Sequence, residues 1–155
     1  MIYWFTGQPG HGKTELAKKI KEISTKETFH VDGDDLREIF ENKDYSESGR
    51  RKNIELAQKI SHYLHNKGKD VVVSLVSPYI DQRESFKITM GGNIIEIYVH
   101  TTEIRGRENF HVENYQKPVE NFIDIDTTID TPEQSVYKIL QHEKLHSKGR
   151  QKDIL

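Results

Sequence analysis

The chain contains no cysteine among its 155 residues, which excludes disulfides and thiolate metal sites. It is sparing with proline, at four residues, and no apolar run approaches the length of about 20 that crosses a bilayer. A dominant charge is also missing. Twenty-three Lys and Arg face 25 Asp and Glu, for a formal net charge of −2, which argues against a surface built to coat nucleic acid. Repeats and low-complexity tracts are absent too. The first residues, Met1 to Phe5, read as a core strand rather than as a basic region followed by an apolar stretch. The expected setting is therefore the cytoplasm, with no membrane and no nucleic acid among the partners.

What is present is the composition of a globular protein, 34% hydrophobic and 31% charged, in a chain of the length of one domain. Five β-rich runs recur: Ile2 to Thr6, Thr28 to Asp32, Asp70 to Leu75, Ile94 to Val99 and Asn121 to Asp126. Helical patterns fall between and after them at Lys13 to Ser24, Asp34 to Phe40, Gly49 to Asn66, Ile80 to Met90 and Pro132 to His146. Such alternation predicts an α/β fold, a five-stranded parallel sheet flanked by helices in three layers. Residues 1–146 are expected to form the domain, and the polar stretch 147–155 a fraying tail. The segment 101–121 carries no strong strand or helix pattern, and an irregular stretch of that length in a compact domain reads as a lid or substrate loop.

The strongest local signal is Gly7-Gln8-Pro9-Gly10-His11-Gly12-Lys13-Thr14, which satisfies G-x-x-x-x-G-K-[ST] between the first strand and first helix. Gly7, Gly10 and Gly12 permit backbone conformations in which successive N–H groups turn inward around an anion. Lys13 would place a charge on the β- and γ-phosphates of ATP, and the Thr14 hydroxyl would ligate a bridging Mg²⁺. His11 is expected to point to solvent. In an open parallel sheet the ligand lies beyond the carboxyl ends of the strands, which directs attention to Asp32, to Ser77-Pro78-Tyr79 and to the region after Thr101. Asp32 and Asp34 could hold the Mg²⁺ shell or accept a proton from an attacking hydroxyl, with Asp34 or Asp35 alternatively serving as a helix cap. Arg37, one turn further, could fork onto an anionic group.

Three further motifs stand in fixed relation to this loop: Asp32-Gly33-Asp34-Asp35-Leu36-Arg37, Tyr45-Ser46 through Arg50 to Asn53-Ile54, and Val76-Ser77-Pro78-Tyr79 followed by Arg83. In order and spacing they resemble the D-G-D-N-x-R, F-S-x-x-x-R-x-x-N-I and [IV]-S-P-Y-x-x-x-R motifs of the adenylylsulfate kinases. The resemblance implies ATP-dependent phosphorylation of the 3′-hydroxyl of a nucleotide, in that family adenylylsulfate. It implies a P-loop kinase fold, Mg²⁺ and ATP, a nucleotide acceptor, and a homodimer as one admissible assembly. It places Arg37, Arg50 and Asn53 against the acceptor's anionic groups and Tyr45 on its base, with Ile54, Val76, Ser77, Pro78 and Tyr79 lining the pocket. In the family the serine matching Ser77 has been described as a phosphoserine intermediate. Direct in-line transfer needs no such step, so Ser77 is expected to position.

The chain departs from that family after the fourth strand. The K-G-L-Y segment of the lid is missing, and Thr101 runs within ten residues to Phe110, with Tyr115 and Pro118 beyond it. Arg105 and Arg107 are expected to replace the lost basic residues at the acceptor, and Phe110 to stack on its base. The alternatives are two: a kinase for another nucleotide, such as the cytidine diphosphoramidate kinase that resembles this family, or a nucleotide-dependent switch. No N-K-x-D guanine-reading motif supports the latter. His142 and His146, four apart, read as a solvent-facing helical pair rather than a metal site, and Arg51 and Lys52 as a solvated basic face.

Overall fold

Apolar residues fill both faces of the central strands, and this pattern gives a parallel sheet buried between helices. In the computed structural model, which describes the backbone of residues 1–152 and the side chains of residues 1–146, strands β1 (Ile2–Thr6), β2 (Thr28–Asp32), β3 (Asp70–Ser74), β4 (Ile94–His100) and β5 (Phe122–Asp126) form one sheet in the order β2-β3-β1-β4-β5. All four pairings are parallel. The predicted α/β fold is therefore observed. Helices α1 (Lys13–Ile23), α2 (Gly33–Ile39), α3 (Glu47–Asn66), α4 (Ile80–Met90) and α5 (Pro132–Lys152) surround it.

Two apolar cores flank the sheet, and strand alternation sorts β1 between them: Tyr3 and Phe5 join α1 and α5, while Ile2 and Trp4 join α3 and α4. The first core includes Leu16, Ile20 and Ile139, and the second Ile54, Ala57 and Phe86. At about 25 cal/mol per Å² of buried apolar area, such layers supply the dominant stabilisation. No helix among the described residues is long and apolar enough to cross a membrane.

Most boundaries lie within two residues of those predicted. The exception is α5, which continues to Lys152, six residues past the expected end at His146. Lys, Arg and Gln are good helix formers, so a polar stretch can extend an established helix. Of the stretch 147–155 expected to fray, the backbone to Lys152 is helical, and 153–155 lie outside the described residues. In the 101–121 segment, a single 3₁₀ turn at Glu108–Phe110 interrupts otherwise irregular chain.

Candidate active site

Gly7 must be a glycine because the loop passes hard against β4: a Cβ there would sit 2.2 Å from the Val99 carbonyl oxygen, at φ +150°. The loop is fastened on several sides. Gly7 N–H donates to Val76 O at 3.3 Å, and the Thr127 hydroxyl donates to His11 O at 3.0 Å. Lys13 is buried, and its ammonium donates to Gln8 O at 2.8 Å inside the loop. Burial lowers its pKa to about 8, against the opposing pull of Asp32 and Asp34. It is thus predominantly charged at neutral pH and ready to exchange one oxygen partner for another.

A cavity of about 580 Å³ opens from Lys13 and Thr14 across Asp32, Asp34 and Arg37 to Tyr45, Arg50 and Asn53, roofed by Arg107 to His111 without Glu108. Asp32 caps α2: Oδ1 accepts from Asp34 N–H at 2.9 Å and Asp35 N–H at 3.4 Å. The cap is therefore Asp32 itself, not Asp34 or Asp35, because only the last residue of β2 has the extended backbone that an N-cap needs. Oδ2 accepts from Ser74 Oγ at 2.8 Å and Thr14 Oγ1 at 3.3 Å. Four hydrogen-bond donors thus converge on this carboxylate. Asp34 lines the same cavity, is exposed, and accepts no hydrogen bond at its carboxylate among the described residues.

Across the cavity, Ser46 caps α3, and Gly49 lets that helix start against Asp44, whose carbonyl oxygen would lie 2.1 Å from an added Cβ. Arg37 stacks over the Tyr45 ring at 4.0 Å and donates to Asn42 O and Asp44 O. Arg50 Nε donates to Tyr45 O at 2.8 Å. Asn53 is buried and donates to Gly33 O at 3.1 Å, while its Oδ1 has no partner. Tyr45 and Phe110 both line the cavity with more than half of their surface exposed, 62% and 65%.

Ser77 adopts φ +46°, a left-handed conformation uncommon for a residue with a Cβ, and is 1% exposed. Its hydroxyl accepts from the Trp4 indole N–H at 3.3 Å. A buried hydroxyl engaged by Trp4 fits a positioning role, and Ser77 also lines the cavity. The turn is held by Arg83, which is buried with Glu96 and donates to Ser77 O, Glu96 Oε2 and Gln116 O. Gln116 in turn donates its N–H to Pro78 O and accepts from Ile80 N–H. The returning arm of the lid is thereby tied to the Ser77 loop. A second tie joins it to the P-loop: the Gln8 side-chain amide exchanges two 2.8 Å hydrogen bonds with the Val112 backbone. The motif assigned Arg83 no task, and its role emerges only from the fold.

Several expected placements are corrected. Tyr79 does not line the cavity; it is buried in the second core with the Arg51 guanidinium 4.2 Å above its ring. Arg51 itself forks onto Asp81 at 2.9 and 3.2 Å instead of standing free in solvent. Arg105 is turned away from the acceptor side: it donates to Glu103 and Thr127 O, beside Gly12. Arg107 alone of that pair lines the cavity. His11 is buried rather than solvent-facing and meets His111 edge-on at 5.1 Å. Burial, then the neighbouring His111, Lys13, Arg105 and His100 charges, lower its pKa to about 4. Ser74 and His30 were not foreseen as site residues, yet Ser74 Oγ lies 2.7 Å from His30 Nε2 and touches Asp32. His142 and His146 face each other at 3.1 Å, and no group of three or more metal-binding side chains exists among the described residues.

The family model described as adenylylsulphate kinase matches residues 1–139. The adenylyl-sulfate kinase of Buchnera aphidicola (subsp. Schizaphis graminum) is 31% identical over 94% of this chain and 70% of its own length. That of Pseudomonas aeruginosa is 32% identical over 86% of this chain and 72% of its own. Among solved structures, the Mycobacterium tuberculosis APS kinase in complex with AMPPNP and APS superposes with a TM-score of 0.75 at 19% identity, over 90% of this chain and 95% of that one, a likeness of fold. With its P-loop, its Asp32–Arg37 segment and its Ser77 turn meeting at one cavity, the chain belongs to the adenylylsulphate kinase family.

Proposed function

We propose that this protein transfers the γ-phosphoryl group of ATP to the 3′-hydroxyl of adenylylsulfate, giving 3′-phosphoadenylylsulfate and ADP, in the cytoplasm. The observation that carries this reading is the continuity of one cavity from Lys13 and Thr14 to the Tyr45, Arg50 and Phe110 side chains. A donor and an acceptor nucleotide can meet there end to end, which in-line transfer requires. Residues 1–146 act as the kinase unit, with 101–121 as its lid.

The P-loop amides and Lys13 hold the donor phosphates, and Lys13 stabilises charge that grows on the transferred group. Thr14 and Asp32 are hard oxygen donors 3.3 Å apart, a set that fits Mg²⁺ directly or through its water shell. When bound there, Mg²⁺ would neutralise charge on the donor phosphates. Asp34, whose carboxylate accepts no hydrogen bond among the described residues, takes the proton of the acceptor hydroxyl. Arg37, Arg50 and Arg107 receive the acceptor's anionic groups, and the unpartnered Oδ1 of Asn53 accepts from one of its hydroxyls. Tyr45 and Phe110 flank its base. Arg105, beside Gly12 and Thr127, belongs to the donor end.

The test is incubation with Mg²⁺, ATP and either adenylylsulfate or a cytidine-diphosphate-linked acceptor, with the product's phosphate located by ³¹P NMR. Formation of the 3′-phosphorylated adenylylsulfate is expected. Turnover with the cytidine acceptor alone would overturn the acceptor assignment, and ATP binding without any acceptor-dependent ADP release would overturn the kinase reading.

A further inference from the structure

Parallel pairing sets Asp32 of β2 directly beside Ser74 of β3, with His30 two residues earlier on the same face of β2. The three side chains meet at the carboxyl end of the sheet, immediately under Thr14. Ser74 Oγ is 2.8 Å from Asp32 Oδ2 and 2.7 Å from His30 Nε2, and Ser74 is buried at 3% exposure. A serine hydroxyl has one proton to give. Asp32, already accepting two backbone N–H groups and the Thr14 hydroxyl, is acceptor-only, so the serine proton goes to it. Ser74 must then accept from His30, which fixes that imidazole with its proton on Nε2.

We infer that His30 and Ser74 are positioning residues for the phosphoryl transfer, forming a one-directional relay, His30 Nε2–H to Ser74 Oγ–H to Asp32 Oδ2. The relay aims the Asp32 carboxylate at Thr14 and the Mg²⁺ shell. Without Ser74, Oδ2 would keep the 3.3 Å contact to Thr14 and have His30 Nε2 at 3.9 Å, beyond hydrogen-bond distance, so the carboxylate would be held mainly from one side, by the α2 amides. Partners one layer behind a metal site commonly set the orientation of the group in front, and losing one costs about 10–100-fold in metal affinity or activity. The inference rests on the reading of Asp32 given above.

The test uses Ser74→Ala, His30→Phe and His30→Gln in the full chain, with Asp32→Asn as reference. Three quantities are read: the Mg²⁺ concentration giving half-maximal tightening of ATP binding by calorimetry, kcat against both KM values, and the His30 tautomer from long-range ¹H–¹⁵N spectra. Ser74→Ala and His30→Phe are expected to raise the Mg²⁺ requirement by about tenfold and to lower kcat with acceptor KM unchanged. His30→Gln, which keeps an N–H donor near the Nε2 position, restores most of the loss, and wild-type His30 reads as the Nε2–H tautomer. A wild-type Mg²⁺ requirement in Ser74→Ala and His30→Phe, or an Nδ1–H tautomer, overturns the relay. If Asp32→Asn itself leaves Mg²⁺ dependence and turnover intact, the reading of Asp32 fails instead. Thermal melts of each variant separate these results from misfolding, and the tautomer measurement needs no variant at all.

Discussion

The two halves of the cavity are built on different physical terms. On the donor side the working groups are backbone amides, a buried lysine and a carboxylate with four donors, all fixed before any ligand arrives. On the acceptor side they are long or aromatic side chains, Arg37, Arg50, Tyr45 and Phe110, and both rings are more than half exposed. The first half is preorganised, so its binding energy can be spent on the transition state. In the second, Arg37 and Arg50 are already bonded to backbone carbonyls, and the exposed Tyr45 and Phe110 rings are what must order around the acceptor, at about 0.5–1.5 kcal/mol for each one immobilised. On the function proposed above, the donor phosphates are held by the fixed half, and the choice of acceptor falls to the exposed one.

Breaking the donor half should have the largest effect. Lys13→Ala is expected to lower kcat by about 10³-fold in single-turnover measurements, because the lost charge acts most strongly on the transition state. Cutting the strap between the halves should do less. Gln8→Ala removes both 2.8 Å bonds to Val112, and the expected result is a severalfold rise in both KM values, with faster hydrogen exchange at the Val112 amide. Unchanged exchange there would mean the strap does not hold the lid arm.

The smallest effect concerns stability against pH. His11 has its pKa lowered from 6.5 to about 4 in the fold. As pH falls, the unfolded chain takes up this proton first, so the contribution to stability is present above about 6.5 and is lost progressively toward 4. His11→Gln should make the melting temperature less dependent on pH across that window, with little change at pH 7.5. An unaltered slope would show that the burial of His11 is not a source of acid sensitivity.

The donor half was largely legible in the sequence because its parts are contiguous: eight residues from Gly7 to Thr14, then a helix whose apolar spacing continues the reading. The five strands were legible because each is a short β-rich run bounded by polar residues, and the structure moves their ends by one residue at most. What could not be read depends on pairing between distant segments. His11 looked solvent-facing because its neighbour His111 comes from a loop 100 residues away. Arg105 and Arg107 differ by two positions, and only the fold shows one turning to Thr127 and the other to the cavity. Tyr79 followed its motif into the pocket on paper, but its ring joins the second core, under the Arg51 guanidinium. The partnership of His30 with Ser74 required the strand register, which no local pattern encodes.

The most direct test of this division is equilibrium binding to the Arg37→Ala/Arg50→Ala double variant, measured by calorimetry for ATP and for adenylylsulfate separately. The account predicts ATP affinity within about twofold of wild type and adenylylsulfate affinity weakened by at least about tenfold, the scale of one lost hydrogen bond to a charged group. A comparable loss of ATP affinity, or undiminished adenylylsulfate binding, would contradict it.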